Sequence, residues 1–214
     1  MKIRYTSIFK TFKVSLALIF LTLFIQGCGG GSDSLSSVAS QDKILAFGDS
    51  LTKGYGVSSA ESYPTVLSGL SGHTVVNAGI TGETTAQGLE RLAGVIDDNN
   101  PYLMILLEGG NDFIRLTTSR AETKQHLSDM IDLAKGKGIQ VVLLGVPDFI
   151  FQSTSAALYQ ELADEHDLVY DGDLVPTLLL TPEYRANDLV HLTKAGYQKL
   201  AEEIHQLLID NGAL

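Results

Sequence analysis

Ile44-Leu45-Ala46-Phe47-Gly48-Asp49-Ser50-Leu51 runs from four apolar residues into a glycine-bounded turn. An unbroken apolar run closed by Gly predicts a buried strand. A serine just past such a strand stands at the carboxyl edge of an open α/β sheet, where these folds hold their ligands. Alone, Asp49 and Ser50 are more readily read as the cap of the next helix. Two further junctions add weight. Gly109-Gly110-Asn111-Asp112 follows a second apolar run, and Asp188-Leu189-Val190-His191 lies near the C-terminus.

Outward from this junction the pattern alternates. Strands are predicted at Ile44–Phe47, Thr74–Asn77, Tyr102–Leu107, Ile139–Val146 and Leu168–Tyr170. Helical spacing covers Tyr63–Leu70, Thr84–Asp97, Ala121–Lys135, Ala156–Glu165 and Lys194–Ile209. In Thr84–Asp97, Leu89, Leu92, Val95 and Ile96 share a face; in Ala121–Lys135, Leu127, Met130, Ile131 and Ala134 do. Strands that are apolar throughout, separated by amphipathic helices, predict an α/β fold. We expect three α/β/α layers around a mostly parallel sheet of about five strands, with right-handed crossovers.

The 214 residues are 44% hydrophobic and 19% charged, a globular composition with length for one domain and a sizeable core. The formal charge of −10 argues against a nucleic-acid partner, because phosphate binding needs clustered Lys and Arg. Cys28 is the only cysteine, so there is no intrachain disulfide, Cys nucleophile or Cys-rich metal site. His73, His126, His166 and His205 lack zinc-ligand spacing, and no metal is expected.

The N-terminus reads as a targeting segment. Lys2, Arg4, Lys10 and Lys13 form a basic region, and Val14 to Ile25 is apolar apart from Ser15 and Thr22. That length suits a signal peptide and is short for a bilayer span. Gly27-Cys28 resembles the lipobox of bacterial lipoproteins, from which Gln26 departs. The resemblance implies cleavage of residues 1–27, lipid on Cys28, and a place in the bacterial cell envelope; Gly29 after Cys28 favours the outer membrane. Cleavage would leave 11 basic residues against 25 acids, a charge of −14. Residues 28–41, rich in Gly and Ser, are expected to form a flexible tether. The folded domain is expected over 42–214.

Ser50, Asp188 and His191 are the residue types that nucleophilic acyl transfer needs. A serine hydroxyl needs a base, neutral imidazole serves near pH 7, and a carboxylate fixes the imidazole tautomer. A loop broken by Pro182 and Asn187 can turn Asp188 and His191 the same way. Competing readings give Asp188 as a cap of the helix near Thr193 and His191 as a surface loop residue. The Asn111 amide and the Gly82 N–H are candidate donors to a developing oxyanion. Their alternatives are a helix cap and a loop glycine.

Gly48-Asp49-Ser50-Leu51, Gly82, Gly110-Asn111-Asp112 and Asp188-x-x-His191, in this order, resemble the four blocks of the SGNH (GDSL) hydrolase family. The wider text, including Gly82-Glu83-Thr84-Thr85-x-x-Gly88-Leu89-x-Arg91-Leu92, is similar to the thioesterase I, arylesterase and lysophospholipase L1 branch. The resemblance covers Lys43 to Leu214. It implies that Ser50 is the nucleophile, His191 the base and Asp188 its orienting partner. It also implies an oxyanion hole of the Ser50 and Gly82 N–H groups with the Asn111 amide, and no metal or organic cofactor. Leu192 departs from the proline that often follows the histidine, which puts the rigidity of that loop in question. Ser50 has no Gly-x-Ser-x-Gly elbow, so an ordinary α/β-hydrolase is excluded. P-loop and Rossmann motifs are absent too.

The expected partner is a small acyl ester, acyl thioester or lysolipid. Phe113, Ile114, Phe149 and Phe151 are the expected acyl-binding residues. Two other functions fit the same motifs: deacetylation of an envelope polysaccharide, and a non-catalytic binding module. The lack of Trp weakens the first, and Ser, Asp and His together weaken the second.

Overall fold

A computed structural model describes residues 34–116, 118–148 and 152–214. Five parallel strands form one sheet: β1 (Lys43–Gly48), β2 (Thr74–Gly79), β3 (Leu103–Leu107), β4 (Gln140–Leu144) and β5 (Val169–Asp171). Their order is β2-β1-β3-β4-β5. The core of β1, Ile44 to Phe47, and all of β3 are fully buried, as unbroken apolar runs require. The expected three-layer α/β fold is found.

The helices are α1 (Ser50–Lys53), α2 (Tyr63–Ser71), α3 (Thr85–Asn99), α4 (Gly110–Arg115), α5 (Arg120–Gly136), α6 (Ala157–His166), α7 (Leu174–Leu180) and α8 (Lys194–Asp210). α2 packs on α8, as does α7; α3 packs on α5, and α5 on α6. Each long helix buries the stripe its period lays down. Leu127, Met130, Ile131 and Ala134 are inside on α5, and Tyr197, Leu200, Ala201, Ile204 and Leu208 on α8. Thr193 caps α8 by accepting from the Gly196 N–H at 3.1 Å, so Asp188 is left for another task.

From β1 the chain moves outward to β2, then crosses back to β3 on the other side of β1. This reversal opens a crevice at the carboxyl ends of β1 and β3. Ser50 follows one strand and Asn111 the other. The edge is tightly packed: a Cβ on Gly79 would lie 2.1 Å from the Lys53 nitrogen, so only glycine lets β2 end beside α1.

One expectation is corrected. The tether was expected to run free to residue 41, but the chain is docked from Leu35. Leu35 N–H donates to Asn211 O and Val38 N–H to Ala213 O, each at 2.8 Å. Val38 is buried, and Ser36 N–H is held by the Gln140 side chain. Two apolar residues in a serine-rich stretch suffice to seat it against the end of α8, where burial outweighs the composition around them.

Candidate active site

Ser50 opens α1, a helix of only four residues. Asp49 caps it, its Oδ1 accepting from Leu51 N–H at 3.0 Å. Asp49 N–H donates to Leu107 O at 3.4 Å, and Ile80 N–H to Gly48 O at 3.0 Å, so the turn is fastened to β3 and to the chain leaving β2. Ser50 is thereby pinned, and buried, at the mouth of the crevice.

The C-terminal loop brings the other two groups to it. His191 Nε2 lies 2.9 Å from Ser50 Oγ, and His191 Nδ1 lies 2.7 Å from Asp188 Oδ2. Asp188 Oδ1 accepts from the N–H groups of Val190 (3.2 Å) and His191 (3.0 Å), an Asx turn that aims the carboxylate back at the imidazole. Burial opposes the Asp188 charge, but the hydrogen bonds from His191 and these two N–H groups outweigh it and hold the carboxyl below its ordinary range. Leu189 takes a left-handed backbone, φ 70°, to make the turn. The rigidity a proline after His191 would supply comes instead from a small hairpin. Ala186 N–H donates to His191 O and Thr193 N–H to Tyr184 O, both at 2.8 Å, and Leu192 is buried in the core.

Asn111 lies in the first turn of α4, behind Gly109. Its Nδ2 donates to Asp49 Oδ2 at 3.2 Å, so the residue beside the serine orients the amide. Burial pushes the Asp49 carboxyl up to about 6, against the pull of the Leu51 N–H and of His191. Asp112 accepts from Thr85 N–H (2.9 Å) and Thr85 Oγ1 (2.7 Å), tying α4 to the start of α3. Gly82 sits three residues beyond β2 with φ 78°, and it does not line the cavity that opens beside Ser50. Nothing among the described residues accepts its N–H.

Carboxylates crowd beneath the site. Glu83 is buried and paired with Arg91, whose guanidinium lies 4.0 Å over the Phe47 ring. Glu108 is fully buried, and neither of its carboxyl oxygens has a hydrogen-bond partner among the described residues. Burial, then repulsion from Asp49, Glu83 and Asp112, drives its pKa well above the usual carboxylate range. Among the described residues no group of His, Cys, Asp and Glu is arranged to hold a metal ion.

A cavity of about 450 Å³ opens beside Ser50, Asn111 and His191. Its apolar wall comes from Phe113, Ile114 and Leu116 after β3, Leu179 and Leu180 on α7, and Leu189 and Val190 of the His191 loop. Phe113 and Ile114 were expected there. Phe113 also packs into the core, edge-on to Tyr159, while Ile114 is exposed. Phe149 and Phe151 lie outside the described residues, as does Cys28. Composition did not single out α7 for this wall, because its leucines read equally well as core. Sequence reasoning also missed Asp49 as the partner of Asn111. The local signal, Asp beside the serine, was read only as a cap.

These features define a serine hydrolase on a doubly wound α/β sheet. The GDSL-like Lipase/Acylhydrolase family matches residues 46–199, and the chain belongs to that family. It is a carboxylic ester hydrolase of the SGNH type. It is 31% identical to an arylesterase of Vibrio mimicus over 185 residues, covering 81% of this chain and 92% of the relative. It is 29% identical to thioesterase 1/protease 1/lysophospholipase L1 of Escherichia coli K12 over 171 residues, covering 77% and 82%. The crystal structure of AlinE4, an SGNH-hydrolase family esterase, superposes with a TM-score of 0.62 at 30% identity, covering 81% of this chain and 98% of that one.

Proposed function

We propose that the protein cleaves acyl esters or thioesters through an acyl-enzyme on Ser50. The observation that carries this reading is the unbroken hydrogen-bonded line Ser50–His191–Asp188 at the mouth of an apolar cavity. Ser50 Oγ attacks the substrate carbonyl carbon while His191 Nε2 takes its proton, and Asp188 holds the imidazolium. The oxyanion receives the N–H groups of Ser50 and Gly82 and the Asn111 amide. Collapse expels the alcohol or thiol, which leaves with the proton from His191. Water then attacks the acyl-enzyme, with His191 again as base. Asn111→Ala should lower kcat on the order of a hundredfold; a loss confined to KM would remove Asn111 from this role.

The cavity wall favours an acyl chain longer than acetyl, since each apolar side chain there gains by covering methylenes. This supports an arylester, lysolipid or acyl thioester over a polysaccharide acetyl group. The test is hydrolysis of p-nitrophenyl esters from acetyl to palmitoyl, by a soluble form beginning at Gly31 and by its Ser50→Ala variant. Loss of turnover in the variant, with kcat/KM rising beyond acetyl, is expected. A folded protein with no Ser50-dependent turnover would point to a binding module.

Export and lipid attachment at Cys28 belong to the same proposal, supported by the basic and apolar segments before it and by Gly27-Cys28. Palmitate labelling that survives Cys28→Ser would refute it.

A further inference from the structure

Two hydrogen bonds hold the His191 imidazole, one at each nitrogen. Both are made at ring nitrogens, so neither bears on the faces of the ring. Tilting of the ring plane would turn the Nε2 lone pair away from the serine hydroxyl. A contact on the ring face stops it, and the described structure contains one. The Tyr55 and His191 ring centroids are 4.4 Å apart, with the planes inclined at 34°.

The backbone that delivers Tyr55 is built for this contact. In Lys53-Gly54-Tyr55-Gly56, both glycines are left-handed, at φ 81° and 87°, which turns the chain sharply out of α1. Gly54 and Tyr55 N–H both donate to Ser50 O, at 3.1 and 3.0 Å. Tyr55 O accepts from the hydroxyl of Tyr197 at 3.1 Å. Tyr197 is fully buried on α8, one turn beyond the Thr193 cap that closes the His191 hairpin. Ser50, Tyr55 and the His191 loop are therefore fastened to one another rather than to separate parts of the fold. Tyr55 nevertheless remains 47% exposed, a large ring whose only aromatic contact among the described residues is this imidazole.

We propose that Tyr55 is a positioning residue for the ester hydrolase reaction, holding the His191 ring in the plane that joins Ser50 to Asp188 and stabilising the imidazolium through its face. The proposal rests on the acyl-enzyme reading above. Imidazole becomes cationic in both acylation and deacylation, and an aromatic face attracts a cation. The Tyr55 hydroxyl takes no part, so phenylalanine serves equally.

The test compares Tyr55→Leu, which keeps bulk without a ring, with Tyr55→Phe. In NMR spectra of histidine-labelled protein, the His191 ring protons, assigned by their loss in His191→Gln, should carry a ring-current shift. It should vanish in Tyr55→Leu and persist in Tyr55→Phe, while the other four histidines stay in place and report that the fold is intact. In Tyr55→Leu, kcat should fall about five- to tenfold with KM within about twofold. Single-turnover acylation and deacylation should slow by similar factors, because His191 acts in both. Tyr55→Phe should keep at least about half of kcat. Wild-type kcat in Tyr55→Leu, or a loss in KM alone, would overturn the proposal; the latter would make Tyr55 only a substrate wall. Turnover surviving in Ser50→Ala would instead strike the acyl-enzyme reading, since the ring-current shift is read without turnover.

Discussion

Replacing Asp49 by Asn should raise stability and lower activity together, and each effect follows from the hydrogen bonds of one carboxylate. Asp49 is 4% exposed, and burial lifts its pKa from 3.8 to about 6. A carboxyl whose folded pKa lies above its unfolded value binds its proton more tightly in the fold. It favours folding below pH 4, and that advantage is lost as the pH rises through about 6. At pH 7 the ionised group costs about 3 kcal/mol, from roughly two pKa units at about 1.4 kcal/mol each. Asn carries no such cost. Its oxygen replaces Oδ1 as acceptor for Leu51 N–H, but its NH₂ then faces the Asn111 amide, donor against donor, where Oδ2 now accepts at 3.2 Å. That mismatch costs about 1–2 kcal/mol. Asp49→Asn should therefore be about 1–2 kcal/mol more stable at pH 7 and about 1–2 kcal/mol less stable at pH 4, where wild-type Asp49 is protonated in the fold. Urea unfolding at both pH values reads the crossing directly. Displacing the Asn111 amide should also lower kcat on the order of tenfold to a hundredfold, with KM little changed. Urea midpoints that track wild type at both pH values would refute the cost assigned to the buried charge. Unchanged kcat would show that Asn111 does not depend on Asp49.

Glu108→Gln tests the raised pKa of the second buried carboxyl. Its folded pKa is raised, so wild-type stability should decline as pH climbs above about 4.5, and the advantage of Gln should grow with it in urea titrations. A constant difference would mean that Glu108 titrates alike in the folded and unfolded chain. Leu189, at φ 70°, carries left-handed strain in the His191 loop. Leu189→Gly should lie within about 1 kcal/mol of wild type, because relief of strain offsets the greater freedom of the unfolded chain, whereas Leu189→Val should cost about 2 kcal/mol more than Gly. Equal thermal midpoints for the two variants would remove strain from that turn.

The long elements were legible because their signals are local. Four or five consecutive apolar residues bury a strand whatever surrounds it, and a 3.6-residue period marks a helix face. Observed bounds for α3, α5, α6 and α8 fall within two residues of expectation. Elements that escaped were short: α1, α4 and α7 have four, six and seven residues, too few to show a period. Two of the three begin at functional turns, where capping and glycine geometry rather than amphipathicity place the backbone. Val38 escaped for the opposite reason, since one apolar side chain in a polar stretch has no pattern to read.

What the amino-acid order determined by itself was the strand alternation, the crevice-edge position of Ser50 and Asn111, and the close pairing of Asp188 with His191. Each depends on neighbours within a few residues, through burial period, turn chemistry or an Asx bond. Only the tertiary structure decided what meets across the chain. His191 reaches Ser50 over 141 positions, Asn111 reaches Asp49 over 62, Tyr55 lies against His191, and α7 supplies a wall to the cavity. Such contacts are set by how layers pack at the sheet edge, and a linear pattern carries no record of that distance.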